Sequence, residues 1–367
     1  NTLLRETKTP LQLTLDSDIQ FLVRKELMKF NNVFQSKGSA AILMNIHNGN
    51  ILSLVSLPDF DPNKRENIKD KNYINKITKG VYELGSVFKT FTLAAALDEN
   101  LIEVDTKFID LEKSINCGNN TIREYDKKIP KDLTAEEILI RSGNIGSVRI
   151  GQKIGVEKFK NFLTKINIIN KIEFDIDEIG IPISFKWGKC KLATTSFGHG
   201  ITTTPLQLAK GYAIVTNGGF DVNPTIIKEK SEKLIKYKKR IIRENVSKKI
   251  NPILRKIVTT KEGTANLADV KGYEIGGKTG TAEKIVSGTY SNQKKINTFA
   301  SVFPISHPKF VLVVILDEPK INTEYIYNYR DGSNFKLKGS PRNTSGWTSV
   351  EATGHIIEKI GPILATK

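Results

Sequence analysis

Apolar and polar residues alternate from Ala40 to His47 and again from Ile51 to Ser56, with Asn48-Gly49 between them. This is the pattern of two half-buried strands joined by a tight turn, so a β-hairpin is predicted here. A different period begins at Ser86. Val87, Phe88, Phe91, Leu93, Ala94, Ala95, Ala96 and Leu97 form a run long and apolar enough for a buried helix. The stretch from Ser86 to Thr216 reads as mostly helical. One helix opens with a capping box, Thr134 to Glu137, before Ile138, Leu139 and Ile140. Another starts at Thr204-Pro205 with Gln207 as capping partner and stops at Asn217-Gly218-Gly219. Strands resume over Gly272–Val286, Asn297–Phe303 and Phe310–Leu316, and a last helix, Val350–Ile363, is placed over one face of the sheet. Asn322–Ser349, polar and rich in Gly and Asn, reads as loop despite Trp347. Strands first and last with helices between them predict an α/β (α+β) fold. It has a five-stranded antiparallel sheet with helices on both faces, a helical lobe, and a cleft where lobe and sheet edge meet. The sheet draws on residues 10–60 and 270–367 and the lobe on 86–216, within one domain spanning 1–367 and without internal repeats.

Composition changes the picture in three ways. With 367 residues there is ample chain for a core. No segment reaches the eighteen or so apolar residues that a membrane span needs. A net charge of +17 raises nucleic acid as a partner, but lysine outweighs arginine and is accompanied by abundant Ile and Asn. The densest basic run, Lys228 to Lys256, contains Leu234, Ile235, Ile241 and Ile242 and almost no aromatics. It reads as a solvated surface facing anionic lipid or wall polymer, so no nucleic-acid partner is expected. Two cysteines, Cys117 and Cys190, exclude a disulfide scaffold; a single bridge in an oxidising compartment stays open, since sequence alone cannot bring them together.

The chemistry lies in an ordered triplet. Ser86 and Lys89 open the apolar helix, Ser142-Gly143-Asn144 follows the capped helix, and Lys278-Thr279-Gly280-Thr281 lies in the first of the late strands. Residues three apart share a helix face, so the Lys89 amine can reach the Ser86 hydroxyl and serve as base in place of histidine. A serine in the first turn also leaves its backbone N–H for an oxyanion. Ser142 is suited to relay a proton, and Asn144 to hold a substrate amide. On a strand, Lys278 and Gly280 face one side and Thr279 and Thr281 the other. There Gly280 lets a substrate backbone lie on the strand, with the threonines and the lysine near a carboxylate. This ordered set is a known signature of serine acyl-transfer enzymes.

Each element has a rival. Ser291/Lys294, Ser306/Lys309 and Ser333/Lys336 repeat the Ser-x-x-Lys spacing without a helix behind them, and Ser114-Ile115-Asn116 repeats the second motif. Gly272 to Thr279 also satisfies the phosphate-loop pattern G-x-x-x-x-G-K-T, which would make this a nucleotide-binding ATPase. That reading needs a buried strand before the loop and a helix after it, and neither flank supplies them. His47, His307 and His355 read as surface or packing residues, while His199, in Phe197-Gly198-His199-Gly200, is the histidine to watch. No metal site and no cofactor is expected.

The triplet and its surrounding text resemble the transpeptidase domain of class B penicillin-binding proteins, most closely the division-specific, FtsI-type branch. The resemblance spans nearly the whole chain. It includes Leu11 to Asp16, Leu57 to Asn63, Gly80 to Ser86, Ser196 to Gly200, Thr204 to Leu208 and Lys278 to Lys284. Gly143 departs from the more usual serine or aspartate in the second motif. The resemblance implies the penicillin-binding-protein transpeptidase/serine β-lactamase-like fold. It also implies Ser86 as acylated nucleophile, Lys89 as its base, Ser142, Asn144 and Lys278 as catalytic partners, and Thr279, Gly280 and Thr281 as the substrate-binding strand, with the N–H groups of Ser86 and Thr281 as oxyanion hole. The implied reaction is D,D-transpeptidation of peptidoglycan stem peptides at the division septum, with β-lactams acylating the same serine. For that, Lys89 must be neutral at least transiently, which burial and the Lys278 charge would both favour. A serine β-lactamase or D,D-carboxypeptidase would use the same triplet and hand the acyl group to water. The resemblance further implies an inner-membrane anchor and pedestal outside this chain, a periplasmic catalytic domain, and as partners a SEDS-type glycan polymerase and other divisome proteins.

Overall fold

The computed structural model describes residues 10–61, 63, 64, 70–118, 120–228 and 239–366. Pro62 of the Leu57–Asn63 segment, and Leu234 and Ile235 of the basic run, lie outside them. A five-stranded sheet forms the centre. Its strands are β1 (Gly38–Asn45), β2 (Ile51–Leu57), β7 (Gly276–Val286), β8 (Thr289–Phe303) and β9 (Phe310–Asp317), in the order β2-β1-β9-β8-β7. Every neighbouring pair is antiparallel. Sequence explains this order. β1 and β9 are apolar almost throughout and take the interior, where both faces are covered. β2 buries every second residue, as an edge strand with one wet face should. The β1–β2 hairpin forms where expected, with a bulge between Leu43 and Met44, but only β2 is half-buried; β1, flanked by β9 and β2 inside the sheet, is buried on both faces.

Helix α1 (Ser17–Val33) packs against the last helix, α9 (Ser349–Leu364), and the two lie against the sheet together. Helix α7 (Pro205–Thr216) is buried from end to end and lies against β1, β8 and β9, beside α8 (Glu244–Thr259). α7 begins with the Thr204–Gln207 capping box that its sequence announces, with Pro205 in the first turn.

The lobe surrounds α2 (Phe88–Asp98), whose residues from Phe88 to Leu97 are all buried. A mostly apolar helix that is buried on every side must sit in the middle of a bundle. Around it stand α3 (Ala135–Ile140), α4 (Asn144–Ile154), α5 (Val156–Lys165) and α6 (Lys189–Ser196). Between α2 and α3 run two small antiparallel pairs. One joins β3 (Lys107–Phe108) to β6 (Leu133–Thr134), the other β4 (Ser114–Cys117) to β5 (Asn120–Arg123).

Asn322–Ser349 departs from the loop expected of it. It contains a short hairpin, β10 (Ile326–Asn328) with β11 (Lys336–Lys338), and Tyr327 is fully buried. Arg330 Nη2 and the Tyr325 hydroxyl both donate to the buried Glu351 carboxylate, each at 2.8 Å. The polar composition misled because Tyr325 and Arg330 anchor the segment to Glu351 of α9 while Tyr327 buries its ring.

Candidate active site

Ser86 sits in a single 3-10 turn, Gly85–Val87, that runs directly into α2. The turn lies against β7 backbone to backbone, and two glycines make that approach feasible. At Gly280 a Cβ would stand 2.1 Å from the Leu84 carbonyl oxygen. Gly85 has φ +65, and a Cβ there would stand 2.7 Å from the Thr281 carbonyl oxygen. Gly280 therefore does not clear room for a substrate backbone, as the sequence suggested. It faces the opposite way and lets the nucleophile's turn dock on the strand. Ser86 is half-buried, lines the cleft, and its hydroxyl makes no hydrogen bond among the described residues.

The three motifs meet around Ser142. Buried Lys89 donates from Nζ to the Ser142 carbonyl oxygen at 2.5 Å, to Ser142 Oγ at 3.2 Å and to Asn144 Oδ1 at 2.7 Å. Lys278, fully buried, donates from Nζ to the same Ser142 Oγ at 2.8 Å and to Thr279 O at 3.2 Å. Ser142 thus bridges two amines. Its backbone is left-handed, φ +59, and the reason is local. The Ser142 N–H donates to Leu139 O at 3.2 Å and the Gly143 N–H to Ile138 O at 2.9 Å, the two bonds of a Schellman ending of α3. Serine occupies the position glycine usually takes there, at a strain cost of roughly 1–2 kcal/mol. Strain kept at such a place is a mark of a functional site.

Burial lowers the Lys89 pKa to about 7, with the Glu124 charge pulling the other way. Lys278 is held well below the ordinary lysine value, first by burial and then by the Lys89 charge facing it. Burial favours the neutral form of Lys89, as expected. The repulsion between the amines, expected at Lys89, registers at Lys278. A neutral amine has two N–H bonds in place of three, so losing one proton frees a lone pair on Lys89.

The strand alternates as predicted. Lys278 and Gly280 face the lobe, while Thr279 and Thr281 line the cleft. Thr279 Oγ1 lies 2.7 Å from Thr264 Oγ1, and Thr281 Oγ1 accepts the Ser345 N–H at 3.0 Å, which leaves the Thr281 hydroxyl proton for a ligand. β7 is also an edge of the sheet, next to β8 only, so an extended peptide can lie along it. The G-K-T of the phosphate-loop pattern lies inside this strand. The helix N-terminus that would cradle phosphate is therefore missing.

The cleft has a volume of about 1140 Å³ and is lined by Ser86, Ser142, Asn144, Thr279 and Thr281. Its rim holds residues the sequence did not single out, Tyr125 and Asp126 from the lobe and Arg342 from the segment before α9, together with Trp347. Arg342 reaches across to Asp126 at 3.6 Å. His199, the histidine to watch, lines the cleft. Its ring stacks on Phe197 and lies 4.5 Å from the Tyr290 ring, while the Tyr290 hydroxyl donates to Glu83 at 2.9 Å. Cys117 on β4 and Cys190 on α6 form a disulfide, with 5.2 Å between their Cα atoms. Of the decoys, Ser114-Ile115-Asn116 lies on β4 and Ser291 on β8, neither at the cleft. No helix among the described residues is long and apolar enough to cross a membrane, and they hold no cluster of metal-ligating side chains.

Known proteins share both text and shape with this chain. The family model described as the penicillin binding protein transpeptidase domain matches residues 39–334. A Caulobacter vibrioides protein named as a probable peptidoglycan D,D-transpeptidase FtsI is 31% identical over 98% of this chain and 59% of its own length. Stage V sporulation protein D of Bacillus subtilis is 32% identical over 84% of the chain and 50% of its own. The chain thus spans about half to three-fifths of the length of these two curated relatives. A Neisseria flavescens protein named as a probable peptidoglycan D,D-transpeptidase PenA is 30% identical over 85% of the chain and 77% of its own length. Among solved structures, the transpeptidase domain of Burkholderia pseudomallei penicillin-binding protein 3 superposes with a TM-score of 0.80 at 24% identity, covering 96% of each chain. That likeness fixes the fold.

Proposed function

Because this chain belongs to the penicillin-binding protein transpeptidase family, in its class B, FtsI-type branch, we propose that it is the catalytic domain of a peptidoglycan D,D-transpeptidase. The domain covers residues 1–367 and works through an acyl-enzyme on Ser86. The observation that carries the reading is the single hydrogen-bonded network in which Lys89, Ser142, Asn144 and Lys278 converge beside the cleft that Ser86 lines.

The steps follow from the geometry. A stem peptide ending in D-Ala-D-Ala lies along the free edge of β7, its carboxylate near the hydroxyls of Thr279 and Thr281 and the Lys278 amine. Neutral Lys89 takes the Ser86 proton as the Ser86 oxygen attacks the penultimate carbonyl carbon. The N–H groups of Ser86 and Thr281 receive the oxyanion. The proton passes from Lys89 through Ser142 Oγ to the departing D-Ala nitrogen, a path the 3.2 Å contact supports. The acyl group stays on Ser86 until the amine of a second stem attacks it. Asn144, anchored to Lys89, is placed to hold a backbone amide of the donor. A β-lactam would enter the same path at its ring carbonyl.

The relatives' names support the transpeptidase reading over a β-lactamase or a D,D-carboxypeptidase. The Cys117–Cys190 disulfide supports an extracytoplasmic, oxidising location. We place the domain on the periplasmic face of the inner membrane, within a longer anchored protein that works beside a SEDS-type glycan polymerase and other divisome proteins during septation. Incubating the domain with a stem pentapeptide and an acceptor stem, and resolving the products by mass, tests the reaction. Cross-linked dimer that grows with acceptor concentration supports transfer to an amine. Released D-Ala with no dimer at any acceptor concentration would favour the carboxypeptidase.

A further inference from the structure

Helix α4, which carries Asn144, begins without a capping side chain, because Gly143 stands at its N-cap. Another residue supplies the cap. Glu124, directly after β5, accepts the Asn144 backbone N–H at 2.6 Å through one oxygen and the Ile145 N–H at 2.9 Å through the other. The neighbouring Arg123 carbonyl accepts from Asn144 Nδ2 at 2.8 Å. A Cβ on Gly143 would lie 3.6 Å from Glu124 Oε1, so the carboxylate fills the space a capping side chain at 143 would use. Two of the four orphan amides at the helix start are thereby satisfied by a carboxylate at the positive end of the helix dipole.

The consequence reaches Lys89. Asn144 is held on three sides, by Glu124 at its N–H, by Arg123 at its amide nitrogen and by Lys89 at its Oδ1. We propose that Glu124 is a positioning residue for acylation: it caps α4, locks Asn144 in place against Lys89, and keeps a negative charge on the helix start that holds the amine. This rests on the reading of Lys89 as the base of Ser86. The groups that bear on the amine are few. Lys278 faces it across Ser142 Oγ, with the repulsion between the two registering at Lys278, while Glu124 favours the Lys89 charge. Arg141, Arg342 and Asp126 bear on Tyr125, the next residue in the chain. With both oxygens committed to backbone amides, Glu124 is poorly placed to activate water, which separates its role from that of a deacylating carboxylate.

The test is the pH profile of acylation by a fluorescent penicillin, from about pH 5 to 9, for the wild type, Glu124→Gln and Glu124→Asp, each with a thermal melt. Removing the negative charge makes the Lys89 ammonium less favourable, so the half-maximal pH of Glu124→Gln is expected to fall by about half a unit to one unit. Its plateau rate should drop roughly tenfold as the half-kept cap loosens Asn144. Glu124→Asp keeps the charge and shortens the arm, so its plateau should fall while its midpoint stays with the wild type. A Glu124→Gln midpoint equal to that of the wild type overturns the proposal, whatever its rate, because a purely structural cap would scale the rate at every pH alike. If Glu124→Gln does not fold, Glu124→Asp decides: a plateau unchanged from the wild type, or a displaced midpoint, overturns it too. A wild type that takes no label on Ser86 would instead overturn the reading on which the proposal stands.

Discussion

Gly280→Ala puts the placement of Ser86 to a quantitative test. The added methyl would start 2.1 Å from the Leu84 carbonyl oxygen and 3.1 Å from Val87 Cγ1. The first neighbour is backbone and cannot rotate away, so β7 and the 3-10 turn must part by about 1 Å to restore ordinary contact. Overpacking of this kind costs about 1–3 kcal/mol. With an unfolding entropy of about 2.1 cal/mol/K per residue, the whole chain changes stability by about 0.8 kcal/mol per degree, so the melt should fall by about 1–4 °C. Catalysis is more sensitive. A displacement of about 1 Å between nucleophile and binding strand costs on the order of a hundredfold in rate. The assay is the second-order rate of acylation by a fluorescent penicillin, read beside a melt of the ligand-free protein. If Gly280 were needed only to admit a substrate backbone, the ligand-free melt would not move. A variant that melts with the wild type and acylates within about threefold of it refutes the docking argument.

Three further outcomes are expected. Burial places the Lys89 pKa at about 7, and the base must be neutral, so acylation should rise with pH, gain about tenfold between pH 6 and 8, and then level off; a rate still climbing tenfold per unit above pH 8 would mean an amine near its ordinary value. Ser142→Gly relieves the left-handed strain at φ +59 but makes the unfolded chain more flexible, so stability should change by no more than about 1 kcal/mol. Acylation should meanwhile fall at least about a hundredfold, and full activity in this variant would remove Ser142 from the relay. Replacing Cys117 and Cys190 by serine opens a loop with a sequence separation of 73, which in the chain-entropy account costs about 4 kcal/mol, or about 5 °C in the melt; coincident melts of variant and wild type would show that the bridge adds nothing.

What could be read from the sequence was local. The Asn48-Gly49 hairpin and the Thr134–Glu137 and Thr204–Gln207 caps are fixed by residues within a few positions of one another, and each stands where its pattern puts it. The triplet was legible because a serine, two lysines and their neighbours keep fixed spacings inside such elements. Contacts between distant segments were not. Nothing near Gly280 in sequence reveals that Leu84 lies against it. Nothing near Cys117 points to Cys190, which the lobe brings to it from the start of α6. Glu124 shows no motif at all, since its partners become visible only once the β4–β5 hairpin folds back on α4. The segment 322–349 was misjudged for the converse reason: polar composition predicts a loop, yet Tyr325 and Arg330 both donate to one buried glutamate.

The most direct test of the account is to locate the covalent bond. The protein is incubated with a penicillin, digested and mapped by mass spectrometry, alongside Ser86→Ala. One penicilloyl group on the peptide containing Ser86, absent from the alanine variant and persisting over many minutes in the wild type, is the predicted result. An adduct on another serine, or an unchanged adduct in Ser86→Ala, would contradict the assignment of the nucleophile.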